Sequence, residues 1–369
     1  MSDFDCIVLG IGGMGSSACF HLSQRGLKTL GLERYSIGHD FGTSHGHTRL
    51  IRKAYFESPD YIPLLDRSYE LWRELEKLSG EQLFYPVGLI MMGDPKKGEA
   101  VPGVLESAKK FNISHEILTT QKLQERFPQF TAPKNAIGVL EPSAGYLLVE
   151  KGVKAFVTQA RRLGAVVKDS TPVIRWSERN HHIEVETHNE SYTTDKLVLT
   201  LGPWSGEWIT DLKLPITIHR VVQSWFQSGL STGPCFAFDE PPHFLYGFPA
   251  LPGVGLKAAL HAMGNRLATA DSIDRNILAT DYESLSDLLR SRVRGIESPI
   301  PLRSSACFYS MTPDSHFVID NHPKMKNVFY AAGFSGHGFK FTPVIGEILA
   351  DLVSNGKTNH PIEFLRYRW

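Results

Sequence analysis

A glycine fingerprint near the start of the chain constrains its fold more than any other stretch. Residues Phe4 to Glu33 read FDCIVLGIGGMGSSACFHLSQRGLKTLGLE. The apolar run Cys6 to Leu9 is long enough for a buried parallel strand. Gly10, Gly12 and Gly15 follow at once in G-x-G-x-x-G spacing. The run from Ser16 to Arg25 suits a helix, Gly26 closes it, and a second apolar run from Thr29 to Leu32 ends on Glu33. Each glycine has its own physical task. Gly10 permits a tight strand-to-helix turn, Gly12 leaves room for a pyrophosphate at the helix N-terminus, and Gly15 lets helix and strand pack closely. Glu33 lies 18 positions beyond Gly15, where an acid can accept hydrogen bonds from the adenosine ribose. This order predicts a βαβ unit for a dinucleotide with an unphosphorylated ribose, FAD or NAD rather than NADP. The fingerprint alone does not separate those two.

A chain of 369 residues exceeds one ordinary core and predicts about two domains. Lysine plus arginine balances aspartate plus glutamate, 39 against 39, which gives no reason to expect nucleic acid or an anionic membrane as partner. The opening MSDFD lacks the basic segment of a signal peptide, and no apolar run approaches the roughly 20 residues of a membrane span. The closing Arg366-Tyr367-Arg368-Trp369 is not a peroxisomal address, so a soluble cytoplasmic protein is expected. The cysteines Cys6, Cys19, Cys235 and Cys307 form no C-x-x-C pair and no zinc spacing, so no metal is expected. Cys6 and Cys19 fall in the first strand and helix and read as inert core thiols.

The segment from Gly42 to Arg52 is rich in Gly, Ser, Thr and His and ends in Arg49 and Arg52. On a helix, three positions apart means one face, and two guanidiniums there repel unless something anionic joins them. A solvated basic turn and a site for phosphate, carboxylate or an electron-rich ring edge are equally compatible with this spacing. Tyr61 to Leu78 has helical periodicity, Phe84 to Met92 reads as a strand entering another domain, and Leu123 to Phe127 reads as a helix. Gly138 to Leu148 reads as a connection and Val149 to Leu163 as a helix; strands are expected at 164–167, 171–174 and 183–187. The buried strand Leu197 to Thr200 runs into Gly202-Pro203-Trp204, a strand end of the kind that faces a dinucleotide. Strands return from Pro215 to Pro301, and an extended Gly255–His261 puts Lys257 and His261 on one face. Asp271 to Val293 reads as helical. Near the end, a strand from Val328 to Ala332 delivers the loop Gly333 to Lys340 into a helix beginning near Pro343. That helix aims its positive end at whatever the loop holds, and the strand can close the sheet opened by residues 4 to 33.

Four stretches together resemble the monomeric sarcosine oxidase family of flavoproteins, which includes N-methyltryptophan oxidase and has a D-amino-acid-oxidase-like fold. They are the fingerprint, S-H-G-H-T-R-L-I-R at 44–52, Y-G-F-P with G-L-K at 246–257, and A-C-F-Y-S-M-T-P-D with G-F-S-G-H-G-F-K-F at 306–341. The resemblance implies an α/β (α+β) chain with an FAD-binding Rossmann-like domain assembled from 1–85, 145–214 and 302–369. A second, mostly antiparallel-sheet substrate domain would comprise 86–144 and 215–301. It implies an FAD-dependent oxidase of secondary N-methyl amino acids, working as a monomer. The C–N bond becomes an imine that water hydrolyses, and oxygen becomes hydrogen peroxide. N-methyltryptophan, a pipecolate- or proline-like acid and a fructosyl amino acid are the alternative substrates.

Residue by residue, Cys307 matches the cysteine bonded to the flavin 8α-methyl group, although a buried structural cysteine is the other reading. Arg52 and Lys340 match the pair that binds the substrate carboxylate. His45 and Arg49 match groups beside the flavin ring, and Lys257 matches the lysine that activates oxygen. Tyr246, His261 and Tyr309 match the substrate cavity; for His261, shaping that cavity without proton transfer is an equal reading. Cofactor contacts are further implied at Arg34, Ser44, Thr48, Val173, Gly202, Trp204, Gly336, His337, Gly338 and Lys340. The family often reads G-S-H-H-G-D-T-R where this chain reads Gly42 to Arg49, so His47 replaces an acid. By ungapped counting, Ala237 falls where sarcosine oxidase carries a larger methionine, which leaves room for a bulkier substrate. Three other readings remain: a dehydrogenase serving a quinone or carrier, an NAD-dependent dehydrogenase, and a non-catalytic scaffold. The first lacks a use for Lys257, the second for Cys307 and the G-H-G loop, and the third for any of these residues.

Overall fold

The computed structural model describes residues 2–179 and 182–369. The fingerprint takes the form its residue order requires. Strand Phe4–Leu9 is followed by helix Gly13–Gln24, and strand Thr29–Leu32 returns parallel to the first, with Cys6 opposite Thr29 and Leu9 opposite Leu32. Gly10 is left-handed at φ 85°, and a Cβ there would come within 2.7 Å of the Thr200 carbonyl oxygen. A Cβ on Gly15 would meet the Gly10 carbonyl oxygen at 1.9 Å, so the helix can rest on this turn only through a glycine.

Among the described residues the strands form sheets of eight, nine and three. In the eight-stranded sheet, Ser191–Leu199 lies parallel to Phe4–Leu9, away from Thr29–Leu32. Its first half pairs antiparallel with His182–Thr187, and its second half pairs parallel with Val328–Ala332. The late strand therefore does close the early sheet. Helices Gly13–Gln24, Ile62–Ser79, Val149–Arg162 and Thr342–Asn355 pack together over a core holding Trp72, Phe156, Ile345 and Leu349. The nine-stranded sheet is antiparallel except where Cys235–Glu240 runs parallel to Leu89–Gly93. The small sheet joins Thr48–Ile51, Gly145–Leu148 and Phe84–Tyr85.

Several expectations are corrected. Arg49 lies on a strand and not on a helix, because Thr48–Ile51 pairs antiparallel with Gly145–Leu148. Three residues apart along extended chain means opposite sides, so Arg49 and Arg52 diverge. The stretch from Gly138 to Leu148 is two strands, Ile137–Glu141 and Gly145–Leu148, around a short turn, since β-forming residues flank the turn on both sides. Pro86 and the left-handed Gly88 divide the expected strand at 84–92 into Phe84–Tyr85 and Leu89–Gly93. Between Asp271 and Val293 only Glu283–Arg292 is α-helix. The acids before it bond elsewhere: Asp271 pairs with Arg34 and accepts from Trp204 Nε1, and Asp281 pairs with Arg220. Independently of these, strand Arg303–Met311 pairs along all its nine positions with Thr217–Phe226 of the nine-stranded sheet.

Candidate active site

A cavity of about 450 Å³ joins the fingerprint to the nine-stranded sheet. Gly10, Gly12, Glu33 and Arg34 line it, as do Ser44, Val173, Gly202 and Trp204. Arg49, Arg52, Tyr246, His261, Cys307 and Tyr309 share the same wall space with Gly336, His337, Gly338 and Lys340. Gly15, His45, Thr48 and Lys257 are not on the wall. Gly15 supports the turn, and the other three are buried one layer behind.

The carboxylate-clamp candidates meet despite their separation in sequence. The Arg52 guanidinium lies 4.4 Å and the Lys340 ammonium 5.0 Å from the centre of the Tyr55 ring. Lys340 is carried by the turn Phe339–Phe341, whose position is fixed from helix Ile62–Ser79: Ser68 Oγ and Trp72 Nε1 both donate to the Lys340 carbonyl. Its Nζ donates to the His337 carbonyl at 2.7 Å and to Tyr55 Oη at 3.3 Å. His337 Nε2 donates to the Ser315 carbonyl at 3.0 Å, which leaves Nδ1 to accept from Tyr55 Oη at 2.6 Å. Burial pushes His337 down to about 3, so the ring is neutral in this chain of bonds. Burial, and after it Arg52, pushes the Lys340 ammonium down to about 7.

Sequence reasoning missed Glu57. Arg52 Nη2 donates to both Glu57 oxygens at 2.7 Å, so the guanidinium already faces one internal carboxylate. Burial alone would raise the Glu57 carboxyl, but Arg52, His337 and Lys340 outweigh it and hold the group at about 2. A carboxylate five positions after an arginine on a loop carries no special pattern, so no signal pointed to it. Gln223 was missed for the same reason. It is buried, lines the cavity, accepts from Arg49 Nη1 at 3.3 Å and sits 3.5 Å from His45 Nδ1.

Arg49 faces the other way from Arg52. Its Nη2 donates to the Thr43 carbonyl at 2.9 Å and lies 3.8 Å from the buried Cys307 sulfur. Lys257 donates to the Gly46 and Thr48 carbonyls, each at 2.8 Å, with the rings of Trp225 and Phe248 on either contact. Burial, then the Arg49 charge, drives its ammonium well below the usual lysine range. His45 is driven down likewise, by burial first and by Arg49 and Lys257 next. His47, at φ 65°, accepts at Nδ1 from Arg303, while Glu150 accepts from the Gly46 and His47 amides. The acid missing at position 47 is thus supplied to the backbone by Glu150, not to Arg49. His261 Nδ1 and Tyr309 Oη are 2.9 Å apart.

The walls fit a flavin dinucleotide. A Cβ on Gly12 would have only Ser44 Oγ near it, at 3.6 Å, so the space at the helix N-terminus is open for a phosphate. Glu33 accepts from the Ile11 and Tyr35 amides, which aims the carboxylate along the cavity it borders. The buried Ser310 hydroxyl on the wall has no protein partner. Among the described residues no His, Cys, Asp and Glu cluster could hold a metal, and no helix is long and apolar enough to cross a membrane.

Comparison with known proteins shows the family to which the chain belongs. Residues 5–352 match the family of FAD dependent oxidoreductases termed DAO. The chain is 39% identical to a monomeric sarcosine oxidase of Streptomyces avermitilis, covering 97% of this chain and 96% of that one. It is 35% identical to an N-methyl-L-tryptophan oxidase of Yersinia pestis, covering 94% of each. The fold superposes with a TM-score of 0.89 on NikD, an amino acid oxidase essential for nikkomycin biosynthesis, at 22% identity over 100% of this chain and 98% of that one.

Proposed function

We propose that this chain, which belongs to the DAO family of FAD-dependent oxidoreductases, oxidises a secondary amino acid of the N-methyl kind and reduces oxygen to hydrogen peroxide. The observation that carries this reading is the meeting of Arg52 and Lys340 on the Tyr55 ring, in the same cavity as the fingerprint. FAD bound there would supply two-electron redox chemistry between the substrate's C–N centre and oxygen. The chain's residues bind, orient and polarise. The helix following Gly12 holds the pyrophosphate and Glu33 the ribose. Arg34, Ser44, Val173, Gly202, Trp204 and the loop Gly336-His337-Gly338 would hold the rest of the cofactor, Thr48 backs them from behind the wall, and Cys307 would be the covalent anchor.

Arg52 and Lys340 grip the substrate carboxylate through charge-assisted hydrogen bonds. Two fixed points leave the amine little rotational freedom, and that orientation supplies much of the rate. Tyr246, His261 and Tyr309 wall the amine in. Water then hydrolyses the imine, releasing formaldehyde and the demethylated amino acid when the N-methyl carbon is oxidised. Lys257, with Arg49 beside it, places positive charge where oxygen gains electrons, and the neutral His45 lies next to them. Residues 1–85, 145–214 and 302–369 make up the cofactor domain in this reading, and 86–144 with 215–301 the substrate domain, to which strand Arg303–Met311 is hydrogen-bonded. The enzyme works as a monomer in the cytoplasm.

The test is direct. The purified protein is precipitated with acid, and a panel of sarcosine, N-methyltryptophan, pipecolate, proline and a fructosyl amino acid is assayed for peroxide. A yellow pellet that turns white in Cys307→Ala, together with peroxide from a carboxylate-bearing amine, is the expected result. Yellow supernatant over a white pellet removes the covalent role of Cys307. Amine-dependent reduction of a dye without peroxide moves the assignment to a dehydrogenase. Protein that takes up no flavin at all overturns the reading.

A further inference from the structure

We propose that Glu141 is a positioning residue for the carboxylate clamp, holding Arg52 at a set distance from the apolar wall of the cavity. The inference rests on the reading of Arg52 and Lys340 given above. Glu141 ends strand Ile137–Glu141 of the nine-stranded sheet, directly opposite Leu89, which lines the cavity. Its side chain is 3% exposed, and among the described residues no lysine or arginine forms an ion pair with it. A carboxylate buried without a paired cation is costly and is tolerated only when its oxygens are satisfied by donors. Here the donors are the backbone of the clamp itself. Oε1 accepts from the Lys53 amide at 2.8 Å and from Ser143 Oγ at 3.0 Å, and Oε2 accepts from the Ala54 amide at 3.0 Å.

Those amides belong to the two residues that follow Arg52. The Ala54 carbonyl in turn accepts from Arg52 Nη1 at 3.0 Å, so the residue whose amide Glu141 grips also holds the guanidinium. The same turn continues to Tyr55, which contacts Lys340, and to Glu57, which pairs with Arg52. One carboxylate at the edge of the second sheet therefore fixes the segment that carries three groups of the clamp. Its amide analogue keeps one acceptor and turns an N–H₂ donor toward a backbone N–H, which breaks one of the two grips without changing side-chain size.

The holoenzyme and its Glu141→Gln variant are titrated with two simple carboxylates, acetate and 3-phenylpropionate, and flavin absorbance reports binding. Two further readouts do not use the clamp: flavin content, and the rate at which oxygen reoxidises the dithionite-reduced protein. The expected result is a rise in both dissociation constants of roughly tenfold or more, the scale of a lost charge-assisted hydrogen bond. The other two readouts stay within about twofold. Ser143→Ala, at an exposed turn, removes a single donor to Glu141 and weakens binding in the same direction by roughly two- to fivefold. Unchanged carboxylate binding in Glu141→Gln, or a parallel fall of all three readouts, overturns the proposal. If Glu141→Gln does not fold, Ser143→Ala decides alone by the same comparison. Wild-type protein that binds neither carboxylate refutes the clamp itself, an outcome separate from variants that leave wild-type binding intact.

Discussion

The proposed role of Lys340 in binding carboxylates predicts a pH dependence of affinity that can be worked out in advance. Its ammonium is pushed down to about 7 by burial and by Arg52. An anion docked about 4 Å away, at an effective dielectric near 20, favours the charged form by about 4 kcal/mol. At 1.36 kcal/mol per unit, the bound complex then holds the proton to roughly pH 10. The sign follows from proton counts. Between about 7 and roughly 10 the complex carries one more proton than the free protein, so raising pH weakens binding. Below about 7 both states are protonated and affinity is flat.

Glu57 is held at about 2, so its charge does not change across this range, nor does that of Arg52. The assay is a titration of the holoenzyme with acetate from pH 6 to 9.5. An amine-free ligand is chosen because its own charge is constant there. Dissociation constants are expected to rise about tenfold per unit above 7. Lys340→Met should bind about a hundredfold or more weakly at pH 6 and show no slope, so the two curves converge at high pH. A flat wild-type profile, or the same slope in the variant, refutes the argument.

Other outcomes follow from the same geometry. Glu57→Gln removes the anion already facing the clamp. Acetate should bind about tenfold more tightly at pH 6, and the pH midpoint should move below that of the wild type, because Glu57 raises Lys340; looser binding would show that Glu57 orders Arg52 more than it competes. Lys257→Met should slow reoxidation by oxygen at least about tenfold while anaerobic reduction by substrate changes little; equal losses in both would make Lys257 merely structural. Gly15→Ala should destabilise the protein by more than about 3 kcal/mol in urea melts, since its Cβ would meet backbone at 1.9 Å. Gly12→Ala, with open space beside it, should leave stability alone and lower flavin content, and similar melts for the two variants would contradict this division of tasks.

Local sequence patterns account for part of the fold. The fingerprint strands and helix, the strand Val328–Ala332 and the helix opening at Thr342–Pro343 are set by local periodicity and glycine or proline chemistry. The stretch at 48–52 misled because a short run of mixed residues has no decisive period, and its strand exists only through a partner at 145–148. Groups such as Glu57, Gln223 and Glu141 acquire meaning from side chains or backbone that other segments bring to them. Arg52 and Lys340 were legible only through the family resemblance, since no rule of spacing links positions so far apart. Lys257 shows the limit of that route too: resemblance picks the residue, while its place behind the wall is a matter of packing.

The strand Ser191–Leu199 sits between one partner made at the outset and another made near residue 330. A ribosome adds roughly 5 to 20 residues each second, so Arg52 precedes Lys340 by roughly 15 to 60 seconds. Throughout that interval the nascent sheet keeps an unsatisfied edge and the clamp has half its charge. A translation-arrested chain stopped before residue 328 should therefore hold flavin poorly, whereas a chain that includes Val328–Ala332 completes the pairing along Ser191–Leu199.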